Sequence, residues 1–217
     1  MESLSIPSRF DAGSIGKGRG SMNDAELLAL AKRVVDRAWA DLPSADRGLL
    51  EAIRAEGRDA IARPLGVYTD GLRRSAGYAS FPAAERQRQD AAAGLWIPEL
   101  RLVLLNVAHP SFQGLDQHSL GWALARVAWH EWGHALAFHR ATSEDVSRGR
   151  ELLELAPPSM AENVRSADYR QREYTHEIVA EVYALLISRR RRGATGRPSW
   201  LSAEIYELVR RVVGWNQ

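Results

Sequence analysis

Residues 129–134 carry the arrangement of side chains in this sequence that most directly indicates chemistry. They read WHEWGH, so His130 and His134 are four residues apart and Glu131 follows the first histidine. Residues four apart lie on one face of a helix, so both imidazoles can bind a single metal ion. Glu131 would lie beside the first ligand, where its carboxylate can take a proton from an activated water and pass it to a leaving amine. Zinc is the expected ion, because two histidines and a carboxylate suit it and leave a position for water.

The competing interpretation is that these polar residues are hydrogen-bonded members of an ordinary core or surface helix. The apolar run LGWALARVAW leads into the motif and indicates a buried helix, in which two histidines and a glutamate need partners. The chain contains no cysteine, so a metal site would have to be built from His, Asp and Glu. We therefore favour a metal site.

A catalytic zinc needs a third protein ligand, and the best candidate lies downstream in residues 174–181, which read YTHEIVAE. Glu177 and Glu181 are embedded there in an apolar stripe, where unpaired carboxylates would be costly. On a helix that faces the HExxH helix, Glu177 would complete the zinc site. Glu181, one turn later, would accept the far N–H of a ligating histidine. Two alternatives stay open: Glu181 is itself the ligand, or both glutamates pair with Arg172, Arg189 or solvent.

Ligands closer to the motif are disfavoured. The metzincin pattern requires Gly at 137 and His or Asp at 140, where this chain has Ala137 and Arg140, and His139 is one residue out of register. Glu144 and Asp145 could bind metal if the helix stopped sharply, as in aspzincins. No GTxD signature surrounds them, however.

The HExxH motif followed by a helix bearing E-x-x-A-E resembles the gluzincin branch of zinc metallopeptidases, over roughly residues 95–190. The separation of 43 positions from His134 to Glu177 is closer to the lethal-factor-like type than to thermolysin-type enzymes, and the compact size is similar to ImmA/IrrE-like peptidases. The resemblance implies peptide-bond hydrolysis in a zincin-like fold, with His130, His134 and Glu177 on zinc and Glu131 as general base. It also implies that residues 100–107 (LRLVLLNV) form the edge strand above the cleft, along which an extended substrate pairs its backbone.

Such a mechanism needs a further hydrogen-bond donor to the oxyanion of the tetrahedral intermediate. Tyr169, Tyr174 and His176 are the candidates, because they precede Glu177 closely. A tyrosine in this position can equally pack its ring and leave its hydroxyl in water.

The elements predicted around these residues make an α+β fold that is dominated by helices. We predict helices from Asn23 to near Pro43, from Ser44 toward Pro64, from Asp116 or Ser119 through Ala141, over 146–155, over Tyr174–Arg190 and over Ser202–Val213, with Gly214 as the C-cap. Strands are expected over 95–97 and 100–107, with turns and short strands over 65–81. A short polar helix or a loop is expected over 83–93, and a loop after the helix that ends at 155.

Composition limits the domain organisation and the classes of partner. Residues 1–20 are rich in Ser and Gly and are predicted to be a flexible tail or linker, which leaves 21–217 as a single zincin-like domain with a small sheet. The 29 basic and 27 acidic side chains give a net charge of only +2, so no nucleic-acid partner is expected. No signal peptide or transmembrane segment is apparent. This favours a cytoplasmic protein or one delivered as part of a longer polypeptide.

The expected function is a zinc-dependent metallopeptidase that acts on a protein or peptide substrate. Its narrower form is an endopeptidase that cuts one partner protein, as toxins and regulatory peptidases do. The alternative is a binding module in which zinc only stabilises the fold.

We interpret the arginines 189–192 as a solvated helix end, and Trp129 and Trp132 as core packing or pocket lining. The oligomeric state is left open.

Overall fold

The computed structural model of this 217-residue chain describes residues 22–55, 65–68, 92–98, 102–107, 109–166 and 173–215. The predicted tail, residues 1–20, lies outside the described residues. So do residues 56–64, into which the second helix was expected to continue, and most of 83–93. The division into a tail and one domain stays a prediction.

Helices make up most of the described chain. Their bounds are α1 (Asp24–Ala40), α2 (Ser44–Ala55), α3 (Gln117–Arg140), α4 (Ser143–Ser147), α5 (Gly149–Leu155), α6 (Pro158–Ser166), α7 (Tyr174–Arg191) and α8 (Ala203–Val213), with a 3₁₀ turn at Pro110–Phe112. Together with a small sheet they confirm the prediction of a helix-rich α+β fold. None of the helices that the structure describes is long and apolar enough to cross a membrane.

Polar side chains at the helix ends set where several of these helices begin and end. Asn23 and Glu26 form a capping box at α1, in which each side chain accepts a hydrogen bond from the other residue's backbone N–H, at 3.0 and 2.9 Å. Asp116 caps α3 by accepting the N–H of Ser119 at 2.8 Å. Gly214 ends α8 in the left-handed conformation, with φ of 81°. These ends agree with the sequence prediction.

The sheet places the predicted strand at its centre and not at its edge. β3 (Leu102–Asn106) pairs in parallel with β1 (Leu65–Tyr68) and antiparallel with β2 (Gly94–Ile97). The expectation that residues 100–107 form an edge strand is therefore wrong. Val103 and Leu105 are fully buried, as an apolar run suits a strand with a neighbour on each side. Among the described strands, β1 and β2 are the outer ones.

The segment after α3 is more helical than expected. The single helix predicted over 146–155 is two helices, α4 and α5, and α4 begins early because Thr142 and Asp145 form a capping box. The loop predicted after residue 155 instead contains α6, which begins at Pro158. Proline is well suited to the first helical position, because the N–H it lacks would have no helical partner there and its φ is already helical.

Helices α3 and α7 approach each other closely at the centre of the fold. A Cβ added at Gly133 would lie 2.7 Å from the Cα of Ala180, so the contact requires glycine. Trp129 is completely buried, and its Nε1 donates to the carbonyl oxygen of Ala38 in α1 at 3.1 Å. Trp132 is also buried, which confirms that both tryptophans pack in the core. The Gly133 contact therefore packs α3 closely against α7 beside the HExxH residues.

Candidate metal centre

Two helices bring the predicted metal-binding residues together. His130 and His134 lie one turn apart on α3, and Glu177 lies in the first turn of α7. The helices run in opposite directions: His134 faces Glu177, whereas His130 also reaches Glu181, one turn further along α7. The close contact at Gly133, between the two histidines, brings α7 within reach of both imidazoles.

The three side chains present their ligand atoms to one point. The Nε2 atoms of His130 and His134 are 3.0 Å apart, and they lie 3.5 and 3.1 Å from the carboxylate oxygens of Glu177. A tetrahedral ion with bonds of about 2.0–2.1 Å separates its ligand atoms by roughly 3.3 Å. Among the described residues, His130, His134 and Glu177 form a group that could hold a metal ion.

The chemistry of this donor set also fits a cation. Glu177 is buried, with only 7% of its surface exposed, and both histidines are half-buried. Atoms that carry lone pairs repel one another when they converge, unless a proton or a cation lies among them. A divalent cation would neutralise the buried carboxylate and satisfy both imidazole nitrogens, so the residues present fit a metal ion.

Glu181 lies on the other side of His130. Its Oε1 is 3.7 Å from the Nδ1 of His130, which is beyond hydrogen-bond length but within ion-pair range. Its Oε2 is 3.4 Å from Nη2 of Arg126, which lies one turn before His130 on α3. Glu181 therefore lies on the Nδ1 side of His130 without accepting a hydrogen bond from it, and its predicted acceptor role stays a prediction. The group that could hold a metal contains Glu177 and not Glu181.

Glu131 faces the sheet side of α3. It is buried, with 6% of its surface exposed, and the backbone N–H of Trp96 in β2 donates to its carboxylate. The pKa of Glu131 is raised to about 7, mainly by burial. The charge of His134 and the Trp96 N–H oppose this shift, and the charges of Glu177 and Glu181 add to it. A carboxylate in this setting is suited to taking up and releasing a proton near neutral pH.

Sequence reasoning missed two residues of β2 that shape this site. A Cβ added at Gly94 would lie 2.8 Å from the Cγ and 2.9 Å from the Oε1 of Glu131, so glycine is needed for the strand to lie against the carboxylate. Trp96 contributes its backbone N–H, which any residue except proline would supply. No sequence signal singles out either contact, because both depend on how β2 docks on α3.

The three predicted oxyanion donors differ in placement. His176 lies in the first turn of α7, half-buried, with its ring centroid 6.0 Å from that of Phe138. Burial lowers the pKa of His176, and the charge of His134 acts in the same direction. Tyr174 packs against the hydrophobic core. Tyr169 lies outside the described residues.

Asp145, one of the disfavoured ligands, is engaged away from the metal centre. Arg211 of α8 donates to both of its carboxylate oxygens, at 2.6 and 2.8 Å. Thr142 also donates to it, as part of the α4 cap. The Arg211 hydrogen bonds lower the pKa of Asp145 to about 2 despite its burial. Asp145 therefore serves packing between α4 and α8.

Comparisons with protein-family models, with curated proteins and with solved structures found no match to this chain. The assignment of function therefore rests on the chain's own residues. The assignment depends on two features. His130, His134 and Glu177 converge, and we call these three residues the metal-binding triangle. Glu131 follows His130 directly on the same helix and is influenced by the charges of His134 and Glu177.

Proposed function

We propose that this chain is a zinc-dependent metallopeptidase of the HExxH, gluzincin-like type with a zincin-like fold. The single observation that carries the proposal is the convergence of His130, His134 and Glu177, from two helices, within 4.8 Å of one another. An accidental HExxH sequence would have no reason to meet a buried glutamate on a second helix at ligand spacing.

Zinc is the metal that we assign to this site. Two imidazoles and one carboxylate are a ligand set that zinc uses in catalytic sites, where a fourth position is open. The metal-binding group among the described residues has three members, which supports an open position and a catalytic role. A zinc ion bound there would polarise the carbonyl of a scissile peptide bond and lower the pKa of a water molecule.

Glu131 is the proposed general base. Its carboxylate lies beside the metal ligands, and the Trp96 N–H fixes its orientation from the β2 side. It would take the proton of the attacking water and deliver it to the nitrogen of the leaving amine, so that one group serves both steps. His176 is the proposed oxyanion donor of the three candidates, because it lies in the first turn of α7, directly before Glu177.

The substrate backbone is proposed to pair along β2. This strand is an outer strand of the described sheet, and it lies directly against Glu131 at Gly94. An extended peptide that added itself to this edge would place its carbonyl groups in front of the catalytic carboxylate. The proposed edge strand beside the cleft is thus β2 and not β3.

The substitution Glu131→Gln tests the catalytic claim. We expect the variant to keep about one zinc per chain and to lose hydrolysis by about 100- to 10,000-fold, because glutamine cannot accept the proton. Since the substrate is unknown, the readout is the set of new N-termini that zinc-loaded protein creates in a denatured protein mixture, identified by mass spectrometry. Glu154→Gln, at an exposed position in α5, serves as the matched control and is expected to cut like the wild type.

Two results would count against the proposal. Cleavage by Glu131→Gln at the wild-type rate would remove Glu131 from the mechanism. Zinc-loaded wild type that created no new N-termini in native or denatured mixtures would favour the alternative, a binding module that zinc stabilises.

A further inference from the structure

A groove of about 450 Å³ lies between α1 and the first turns of α3, apart from the metal centre. Its floor is apolar and consists of Leu30, Val34 and the ring of Trp122. Arg37 and Arg191 line its rim. We call these five residues the Trp122 groove. Gln117, His118 and Gly121 complete the lining, and none of the described lining residues carries a carboxylate.

Guanidinium groups surround the aromatic wall of the groove. The Cζ atoms of Arg191 and Arg192 lie 5.4 and 5.8 Å from the centroid of the Trp122 ring. Asp41 partly neutralises Arg191, at 3.4 Å. Arg37 is exposed, and among the described residues no carboxylate lies within ion-pair distance of Arg37 or Arg192. The groove therefore combines an apolar floor with positive charge that, among the described residues, only Asp41 offsets.

This arrangement refines the interpretation of the arginine run 189–192. Cations at the end of α7 offset the exposed carbonyl groups there, whichever way their side chains point. Here two of the side chains lie over Trp122, which concentrates positive charge on one side of an apolar depression. Such a combination is complementary to a segment with apolar and acidic side chains.

We infer that the Trp122 groove docks an acidic, apolar segment of a protein partner. Aliphatic or aromatic side chains of the segment would cover Leu30, Val34 and Trp122, and flanking carboxylates would pair with Arg37 and Arg192. A nucleic acid is the less suitable occupant, because Leu30 and Val34 offer neither charge to phosphates nor rings to stacked bases, and Trp122 is the only ring of the floor.

The inference rests on the proposed function only in identifying the docked segment as part of a substrate. Trp122 precedes His130 by eight residues on α3, which is about 12 Å along the helix axis. Four residues of extended chain span about that distance. A substrate cut at the metal centre could therefore also be held at the groove, which would restrict cleavage to proteins that carry such a segment.

The test is selection of peptides from a displayed library of random 12-residue sequences on the Glu131→Gln chain. We expect the enriched sequences to combine at least two acidic residues with aliphatic or aromatic ones. A synthetic copy of an enriched peptide should then bind the Arg37→Gln/Arg192→Gln variant about tenfold more weakly. The control Arg33→Gln/Arg165→Gln removes the same charge from exposed positions outside the groove and should bind like the parent. Lysine at positions 37 and 192 should restore most of the affinity.

The inference is overturned if the enriched sequences lack acidic residues, if both double variants bind alike, or if single-stranded oligonucleotide binds the groove more tightly than the peptides. Thermal unfolding followed by circular dichroism identifies a variant that has lost its fold, and the lysine variant then decides. Binding by the Glu131→Gln chain needs no hydrolysis, so this test is independent of the proposed activity. If the wild type does hydrolyse proteins, removing the two arginines should raise KM about tenfold and leave kcat unchanged for a substrate that carries the segment.

Discussion

The three glutamates of the candidate site, Glu131, Glu177 and Glu181, each have a different partner. Glu177 faces both Nε2 atoms, Glu181 lies near the Nδ1 of His130, and Glu131 accepts the N–H of Trp96. Because their contacts differ, we expect their substitutions to have separable effects. Loss of Glu177 should remove a metal ligand and so prevent zinc from occupying the site. Loss of Glu181 should only weaken zinc binding, and loss of Glu131 should affect hydrolysis alone.

Glu181→Gln should weaken zinc binding about tenfold. The carboxylate beside Nδ1 of His130 favours the tautomer whose Nε2 lone pair points at the metal, and the amide that replaces it lacks the charge. Competition with a fluorescent zinc chelator at constant pH measures the effect. Glu162→Gln, on the exposed surface of α6, is the control that should bind zinc like the wild type. Equal affinities for the Glu181 and Glu162 variants would show that Glu181 has no influence on His130.

Most residues of the candidate site can be identified from the sequence alone. The spacing of His130, Glu131 and His134 identifies them without any knowledge of the fold, since helical periodicity alone places them. Glu177 is also identifiable, because a carboxylate in an apolar stripe needs a partner. Gly94 and Trp96 are not, because they act through backbone atoms whose neighbours depend on the docking of a strand.

At the scale of secondary-structure elements, the site depends on how closely α3 and α7 approach. The contact between Gly133 and Ala180 lies in the same turns as the metal-binding triangle. Any side chain at position 133 would push the two helices apart. The result would be both a loss of packing and a longer distance between Glu177 and the histidines.

Gly133→Ala should therefore destabilise the protein and weaken zinc binding together. A Cβ 2.7 Å from the Ala180 Cα forces backbone movement, which typically costs about 1–3 kcal/mol and outweighs the higher helix propensity of alanine. Chemical unfolding and zinc competition measure the two effects. Gly121→Ala, on the same helix, would meet only the Cγ2 of Val34 at 3.5 Å and should be neutral or stabilising. If both variants were equally stable, the close contact between Gly133 and Ala180 would not limit which residue position 133 can hold.

Local rules predict the helices well and the sheet poorly. The cap at Asn23 and the left-handed Gly214 are read directly from residue type and spacing, since the interactions span a few residues. The place of β3 in the sheet is different, because it depends on pairing with β1, more than thirty residues earlier. Pro158 shows a third case, in which proline indicates either a loop or the first turn of a helix and only packing decides.

At the scale of the whole molecule, one buried carboxylate joins elements from opposite ends of the chain. Asp46 of α2 is fully buried and accepts hydrogen bonds from Tyr183 of α7 at 2.9 Å and from Trp215, beyond α8, at 2.8 Å. Burial raises the pKa of Asp46 to about 6, although both donors and the charges of Arg190 and Arg140 oppose the shift. Asp46 and Trp215 are 169 residues apart, so no local sequence pattern predicts their contact.

The Asp46 carboxyl makes stability depend on pH in a defined direction. Its pKa is higher in the folded state than the unfolded value of 3.8, so its contribution is full below that value and is lost as the pH rises through about 6. Asp46→Asn removes this titration and keeps an acceptor. Between pH 4.5 and pH 7, the free energy of unfolding of the wild type should therefore fall by about 2 kcal/mol relative to the variant.

Denaturant unfolding of both proteins at the two pH values, with metal removed by chelator, gives this difference directly. All groups other than position 46 are the same in the two chains, so their titration cancels. Parallel pH dependence of the wild type and Asp46→Asn would contradict the burial of a titrating carboxyl at this position.

The central claim is that His130, His134 and Glu177 hold one zinc ion and leave a position open. Anomalous diffraction at the zinc edge from crystals of the zinc-loaded protein tests it most directly. The expected result is one anomalous peak per chain, within about 2.2 Å of both histidine Nε2 atoms and of a Glu177 carboxylate oxygen, with solvent at the remaining position. Crystals that took up no zinc, or a peak surrounded by four protein ligands, would contradict the account.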